Sequence, residues 1–174
     1  MSGPVHLVTR FAGSLVPAGP RRGSVEWAES FLLPHETELW RRQRAADRRH
    51  TVAVARRVED ALGPDATRPV MAAALLHDIG KIDSRLGTYL RVMATLSGIA
   101  VSHDPEVIKA WTKATGITRR IGLYLQHPKL GGDMLELGGS DPLTVAWTRE
   151  HHLPEDQWTI PLDLARALHD ADDD

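Results

Sequence analysis

The chain contains no cysteine. Disulfide frameworks and thiolate metal sites are therefore excluded, and any metal would have to be held by His, Asp or Glu. The lack of thiols also fits a cytoplasmic protein, which is the location expected here. An excess of charge of either sign is missing too. A formal net charge of −2 provides no bulk attraction to nucleic acid or to an acidic membrane surface, so no DNA partner is indicated. Long hydrophobic runs are absent: the most apolar stretch, "YLRVMATLSGIAV" at 89–101, is too short to span a bilayer and holds Arg91. Its expected role is core packing, with contact to a partner or a membrane surface as the alternative. The N-terminus lacks the basic segment and clean apolar stretch of a secretion signal. No segment alternates polar and apolar residues over a convincing length, which argues against strands, and no internal repeat is visible.

What remains is enough for one packed domain. The chain has 174 residues, 42% of them apolar, which suffices for a single substantial core. Residues 12–24 are rich in Gly and Pro, so an arm over 1–24 is expected ahead of a single domain over 25–174. Helix signals recur from there on. Residues 37–62 place His50, Val54, Val58 and Ala61 on one helical face, and Gly63-Pro64 ends that helix. Arg68-Pro69 opens a second helix that runs to Gly80, with Pro69 suited to its first turn. Asp104-Pro105 and Asp141-Pro142 each combine an acidic cap with a proline, and Thr159 with Pro161 announces a last helix. Between them, "ITRRIGLYLQHPKLGGDMLELGG" reads as two helices meeting near His127-Pro128. The fold class expected is all-α.

Nine histidines can be placed on this frame. His50 lies on the apolar face of the first long helix. "ALLHDIGKID" brings His77 and Asp78 to the end of a core helix, where burial of either is costly unless it is paired. His127 ends a helix at a proline, His151 and His152 end the "WTREHH" helix, and "ARALHDADDD" supplies a terminal Asp cluster. His6, His35, His103 and His169 read as loop or surface residues. A lone core histidine is ordinarily a hydrogen-bonded packing residue, but several helices each bringing an inward His or Asp is how helical bundles build metal sites. Imidazole and carboxylate donors suit Mn, Fe, Co, Ni or Zn rather than an all-oxygen ion.

The ordered set His50, "HDIGK", "YLQHPKLGG", "REHH" and "ARALHDADDD" resembles the HD superfamily of metal-dependent phosphohydrolases over about residues 37–173. The later motifs look most like the HD-GYP branch. The resemblance implies an HD-domain helical bundle with a divalent-metal site between helices, holding one or two transition metals per chain. By motif, His50, His77, Asp78 and a C-terminal Asp would hold the first metal. Asp172 is preferred for that last position because it follows Ala171, six residues after Arg166; Asp170 is its competitor. Asp78 would bridge to a second metal bound by His127 and His151, and His152 would either complete that site or contact substrate. Asp78 and Lys81 are the catalytic candidates. Lys81 would contact a phosphate oxygen or else lie on the surface.

The implied activity is hydrolysis of a phosphomonoester or phosphodiester, with a phosphorylated small molecule or nucleotide as partner. A mixed-valent di-iron oxygenase and a silent binding module with the same fold are the other readings. Residues 41–57 hold seven Arg and one acid, Asp47; Arg49 (or Arg48) and Arg149 are candidates for contacting substrate phosphate. Two departures from the family pattern stand out. After "EHH" the chain reads "LPEDQW", so the Gly-Tyr-Pro loop is missing and cyclic-dinucleotide specificity does not carry over. Ala46 stands where some relatives use a Glu for a third metal. The long interval between His77 and His127 accommodates an added helical segment at about 86–116, expected to cover the cleft or to form a homodimer surface. Trp158 could stack on a base.

Overall fold

The computed structural model describes residues 19–173. They form α-helices and two short 3-10 turns, with no strand among the described residues. In chain order the helices are α1 (Arg22–Glu29), α2 (Pro34–Arg42), α3 (Ala45–Leu62), α4 (Arg68–Leu76), α5 (Lys81–Ser84), α6 (Thr88–Ala100), α7 (Pro105–Lys113), α8 (Gly116–Leu125), α9 (His127–Gly138), α10 (Pro142–Glu150) and α11 (Leu162–Asp173). No helix among the described residues is long and apolar enough to cross a membrane.

Helix α4 is the centre of the fold. Every residue from Val70 to Leu76 is buried, as expected of a helix that is apolar all round. Helices α3 and α10 flank it, α11 packs on α3, and α9 packs on α10. The chain between α4 and α9 forms a second group, in which α5, α6 and α7 gather around α8. Trp40 and Trp147 are the largest fully buried side chains. Of two buried threonines on α10, Thr144 ties it to α4 and Thr148 bonds back within α10. Thr144 donates to the Pro69 carbonyl at 2.9 Å and Thr148 donates to the Thr144 carbonyl at 2.9 Å, so neither hydroxyl is left without a partner.

Helix starts follow local chemistry. Asp104 accepts from the amides of Glu106 and Val107, and Asp141 accepts from that of Leu143, relieving first-turn N–H groups that have no partner within the helix. Prolines occupy the first turn of α2, α4, α7, α9 and α10.

Three boundaries differ from those read from the sequence. The helix expected over 37–62 is two, α2 and α3, because Gln43 and Arg44 take extended backbone angles, with ψ of 154° and 152°. The break lets Trp40 Nε1–H donate to Thr51 Oγ1 at 3.2 Å and carries Arg44 Nη1 to the Leu86 carbonyl at 3.1 Å. The second helix ends at Leu76 rather than Gly80, and residues 77–80 form a turn in which Ile79 N–H donates to the Leu76 carbonyl. At the N-terminus, residues 22–24 belong to α1 rather than to the arm; the arm's first 18 residues lie outside the described residues.

The segment expected at 86–116 is helical, forming α6 and α7. Arg91 of α6 makes a bidentate ion pair with Asp47 of α3, at 2.6 and 2.8 Å. The opposite side of α6 exposes Val92, Met93, Leu96 and Ile99.

Candidate metal centre

Four separate elements bring side chains to one place: α3 with His50, the turn after α4 with His77 and Asp78, the start of α9 with His127, and the end of α10 with His151. A fifth, the last turn of α11, adds Asp172. His77 is the residue that closes α4 and His151 closes α10, so each imidazole leaves its helix where the next backbone turn no longer shields it.

The turn at 77–80 fits against α9 because Gly80 has no side chain. A Cβ there would overlap the His127 carbonyl oxygen and stand 2.7 Å from the Gly131 amide nitrogen. Gly131 in turn faces Gly80, Ile79 and Thr148, each with an atom 3.0 Å from where its own Cβ would be. Two glycines facing each other thus set the distance between Asp78 and His127.

Three imidazoles share one hydrogen-bond pattern. His77 Nδ1 lies 3.0 Å from the Ala74 carbonyl, His127 Nδ1 2.7 Å from that of Tyr124, and His151 Nδ1 3.0 Å from that of Thr148. A carbonyl oxygen can only accept, so each Nδ1 carries a proton, and a ring with that one proton presents a bare lone pair at Nε2. All three Nε2 atoms are buried without a hydrogen-bond partner, and so is Oδ1 of Asp78. These atoms face one another: Asp78 Oδ1 is 3.2 Å from His127 Nε2 and 3.6 Å from His151 Nε2, while Asp78 Oδ2 is 3.6 Å from His77 Nε2.

Acceptors pointed at acceptors repel unless a cation lies between them or the rings take a second proton. The second option is disfavoured, since burial pushes His127 down to about 4 and His151 down as well. For Asp78, burial is the largest influence and by itself would raise the carboxyl, but the Lys81 ammonium together with His77, His127 and His151 outweighs it and holds the group well below the usual carboxylate range. Two ligand atoms about 2.1 Å from one ion stand roughly 3.0–3.4 Å apart at angles between octahedral and tetrahedral. The His127–Asp78 spacing falls within that range, the two 3.6 Å spacings lie about 0.2 Å above it, and the donor types fit a metal.

The ligand atoms fall into two groups that could hold an ion, each within 4.8 Å: Asp78, His127, His151 and His152, and His50, His77 and Asp78. Asp78 belongs to both. Asp172 adjoins the second group, with Oδ1 2.8 Å from His50 Nε2 and 3.6 Å from His77 Nε2. Asp170, the alternative read from the sequence, is exposed. His152 is exposed as well, its ring 4.0 Å from that of His151 and 5.2 Å from that of His127 between centroids. Lys81 donates to Asp78 Oδ2 and is largely buried, so it is not a surface lysine.

Other residues singled out from the sequence are placed differently. Arg149 donates to Asp133 at 2.9 Å and to Glu136 at 2.8 Å; its guanidinium clamps α10 to α9 over the Cβ-less face of Gly132 instead of pointing at the imidazoles. Arg48 lies against the Trp40 ring, 5.6 Å from its centroid. Arg49 is half-buried beside His50 on α3. Trp158 is packed between Trp147 and His169, at 5.6 and 5.3 Å between centroids, and its Nε1–H donates to the Leu153 carbonyl. It is a packing residue, not a free stacking platform. Asp47 has both oxygens on Arg91.

Glu150 escaped the sequence reading. It is buried and accepts from Thr159 N–H at 2.7 Å and Thr159 Oγ1 at 2.6 Å, which folds the 151–159 loop back and keeps His151 at the centre. Its signal was position alone: an acid beside "HH" at a helix end. Compared with protein-family models, curated proteins and solved structures, the chain matches none of them.

Proposed function

We propose that this protein is a metal-dependent phosphohydrolase of the HD type, acting on a phosphomonoester or phosphodiester. The observation that carries the reading is the set of four buried atoms without hydrogen-bond partners, His77 Nε2, His127 Nε2, His151 Nε2 and Asp78 Oδ1, on rings whose Nδ1–H groups are tied to backbone carbonyls. Backbone ties of this kind orient metal-binding histidines. The donor set suits Mn, Fe, Co, Ni or Zn, and the double role of Asp78 is consistent with two ions per chain.

When bound, the metal supplies Lewis acidity and lowers the pKa of water, the chemistry needed to attack phosphorus near neutral pH. The chain's own groups do the rest. Asp78, held ionised beside Lys81, offers one oxygen to each ligand group. The Lys81 ammonium is positioned to steady negative charge developing on phosphoryl oxygens. His50 and Asp172 close the side toward α11, and His152, at the exposed edge, meets incoming substrate. In the reaction, the oxygen of water bonds to phosphorus, the ester P–O bond breaks, and the leaving oxygen takes up a proton. The resemblance of the motif order to HD phosphohydrolases supports the same reading.

Four imidazoles and two carboxylates could also hold two irons for oxygen chemistry. The guanidiniums of Arg42, Arg44 and Arg85, which line the space beside Lys81, favour an anionic substrate over dioxygen. The test is elemental analysis of protein purified without chelator, followed by assays with p-nitrophenyl phosphate and bis(p-nitrophenyl) phosphate. One to two equivalents of a transition metal together with metal-dependent phosphate-ester cleavage is the expected result. Absence of metal after reconstitution with Mn, Fe and Zn overturns the reading. An absorbance change of reduced iron protein on exposure to oxygen, without ester cleavage, replaces it with the oxygenase.

A further inference from the structure

Beside the imidazole cluster lies a cavity of about 440 Å³, lined by Arg42, Arg44, Asp47, Lys81, Arg85 and Arg91 together with Ile82. Its size is in the range of small-molecule sites, roughly 300–1,000 Å³. Its walls come from the end of α2 and the α2–α3 break, the start of α3, α5 with its capping residue Arg85, and α6, two stretches of chain far apart in sequence. Lys81 belongs both to this cavity and to the metal centre, since its ammonium is on Asp78. Asp47 lies three residues before His50 on α3, so cavity and centre are neighbours along one face of that helix.

The charge of this cavity is unbalanced. Four guanidiniums and one ammonium meet a single lining carboxylate. Asp47 is occupied by Arg91, and Lys81 by Asp78. Among the described residues, no carboxylate pairs with Arg42, Arg44 or Arg85. Two of the walls are rigid nonetheless. Arg44 Nη1 and Arg91 Nε both donate to the Leu86 carbonyl, at 3.1 and 3.2 Å. Arg85 sits at φ 49°, a left-handed conformation that side chains rarely adopt, and Arg120 donates to the carbonyls of both Ser84 and Arg85 around it. Gathering like charges around one cavity is unfavourable until an anion enters, and guanidinium forks match phosphate geometry.

We infer that this cavity is an anion subsite for a second phosphate group of the substrate, the one that does not react. The inference rests on the hydrolase reading and narrows it: the preferred substrate is a small molecule carrying phosphates at two positions, such as a nucleoside bisphosphate, with Lys81 between the reacting phosphate and the retained one. The scissile group faces the imidazoles, and the retained group is held by Arg44 and Arg85, with Arg91 behind them.

The probes are adenosine 3′,5′-bisphosphate and adenosine 5′-monophosphate, compared by equilibrium dialysis against the metal-loaded protein in the cold, with the recovered nucleotide checked intact by chromatography. The bisphosphate is expected to bind at least about tenfold more tightly, and the preference to shrink as salt is raised. Arg44→Gln combined with Arg85→Gln, both at exposed positions, should reduce it to within about threefold, and Arg85→Glu should abolish it. Equal binding of the two probes, or a preference that survives the double substitution in a protein with unchanged melting, overturns the subsite. Cleavage of p-nitrophenyl phosphate by the wild-type protein reads the metal centre separately. Cleavage without a bisphosphate preference removes the subsite and keeps the hydrolase. A preference without cleavage keeps the subsite and removes the hydrolase.

Discussion

Gly80 meets the backbone of His127 so closely that a methyl group on it would overlap the His127 carbonyl oxygen. The glycine is required by contact rather than by its backbone angles, which are helical at φ −63° and ψ −15°. Gly80→Ala should therefore push α9 away from the turn and move His127 off Asp78. Overpacking of this kind costs about 1–3 kcal/mol. A lowered melting temperature together with less than half the wild-type metal content is the expected outcome; normal values for both would show that the contact relaxes at no cost.

Asp78 faces both ligand groups, and its neighbours face only one each. Asp78→Ala should lose all bound metal and all ester cleavage. His127→Ala and His151→Ala should each lose the same equivalent, and His50→Ala the other. Metal-to-protein ratios measured on the four variants decide this. An Asp78→Ala protein with wild-type metal content and turnover would remove Asp78 from the centre.

The two C-terminal aspartates should separate cleanly. Asp172 reaches His50 at 2.8 Å, while Asp170 is exposed. Asp172→Asn is expected to weaken metal binding by about ten- to a hundredfold, the effect of losing a ligand's charge or its orienting partner. Asp170→Asn should leave it unchanged. Competition with a fluorescent chelator gives both affinities.

Lys81→Ala should keep the metal and slow the chemistry. The ammonium neutralises Asp78 and stands between the cluster and the cationic cavity. Loss of one preorganised charge commonly costs about a hundredfold or more in turnover. Steady-state kinetics on p-nitrophenyl phosphate would show the drop in kcat; wild-type kinetics would limit Lys81 to fixing the Asp78 carboxylate.

Acid should destabilise the metal-free protein through His127. Burial lowers this group from 6.5 to about 4, so between those values the unfolded chain binds a proton that the folded one does not. Stability is therefore fully present above pH 6.5 and falls as the pH drops toward 4. Urea unfolding of the metal-free protein across this window should give a falling midpoint. His127→Gln should flatten the slope, and an equally steep slope in that variant would assign the effect elsewhere.

Much of the helical frame was legible because its signals are local. Asp104-Pro105 and Asp141-Pro142 start helices through their own carboxylates and the missing proline N–H, and the chain does so wherever the rest of it goes. The broken helix at Gln43-Arg44 was not legible. The Arg-rich stretch is a good helix former, and only the Trp40–Thr51 and Arg44–Leu86 contacts, formed with distant partners, reward the extended break. Arg91 carried a faint signal, a single cation in an apolar run opposite a single acid, Asp47, in a basic one.

The sequence by itself determined which chemistry was on offer. It supplied imidazoles and carboxylates but no thiol, His77 next to Asp78 at the end of an apolar helix, and His151 with His152 before a proline-bearing loop. These are properties of residue type and short spacing, which the chain carries before it folds. Only the tertiary structure decided which groups meet. It aimed Asp172 rather than Asp170 at His50, tied Arg149 to Asp133 and Glu136, and drew Arg42, Arg44, Arg85 and Arg91 around one cavity. Those outcomes depend on the phase of α11, the close approach of Gly80 to α9 and the docking of α6 on α3. Each is set by packing between segments far apart in the chain, where no local pattern can record the distance.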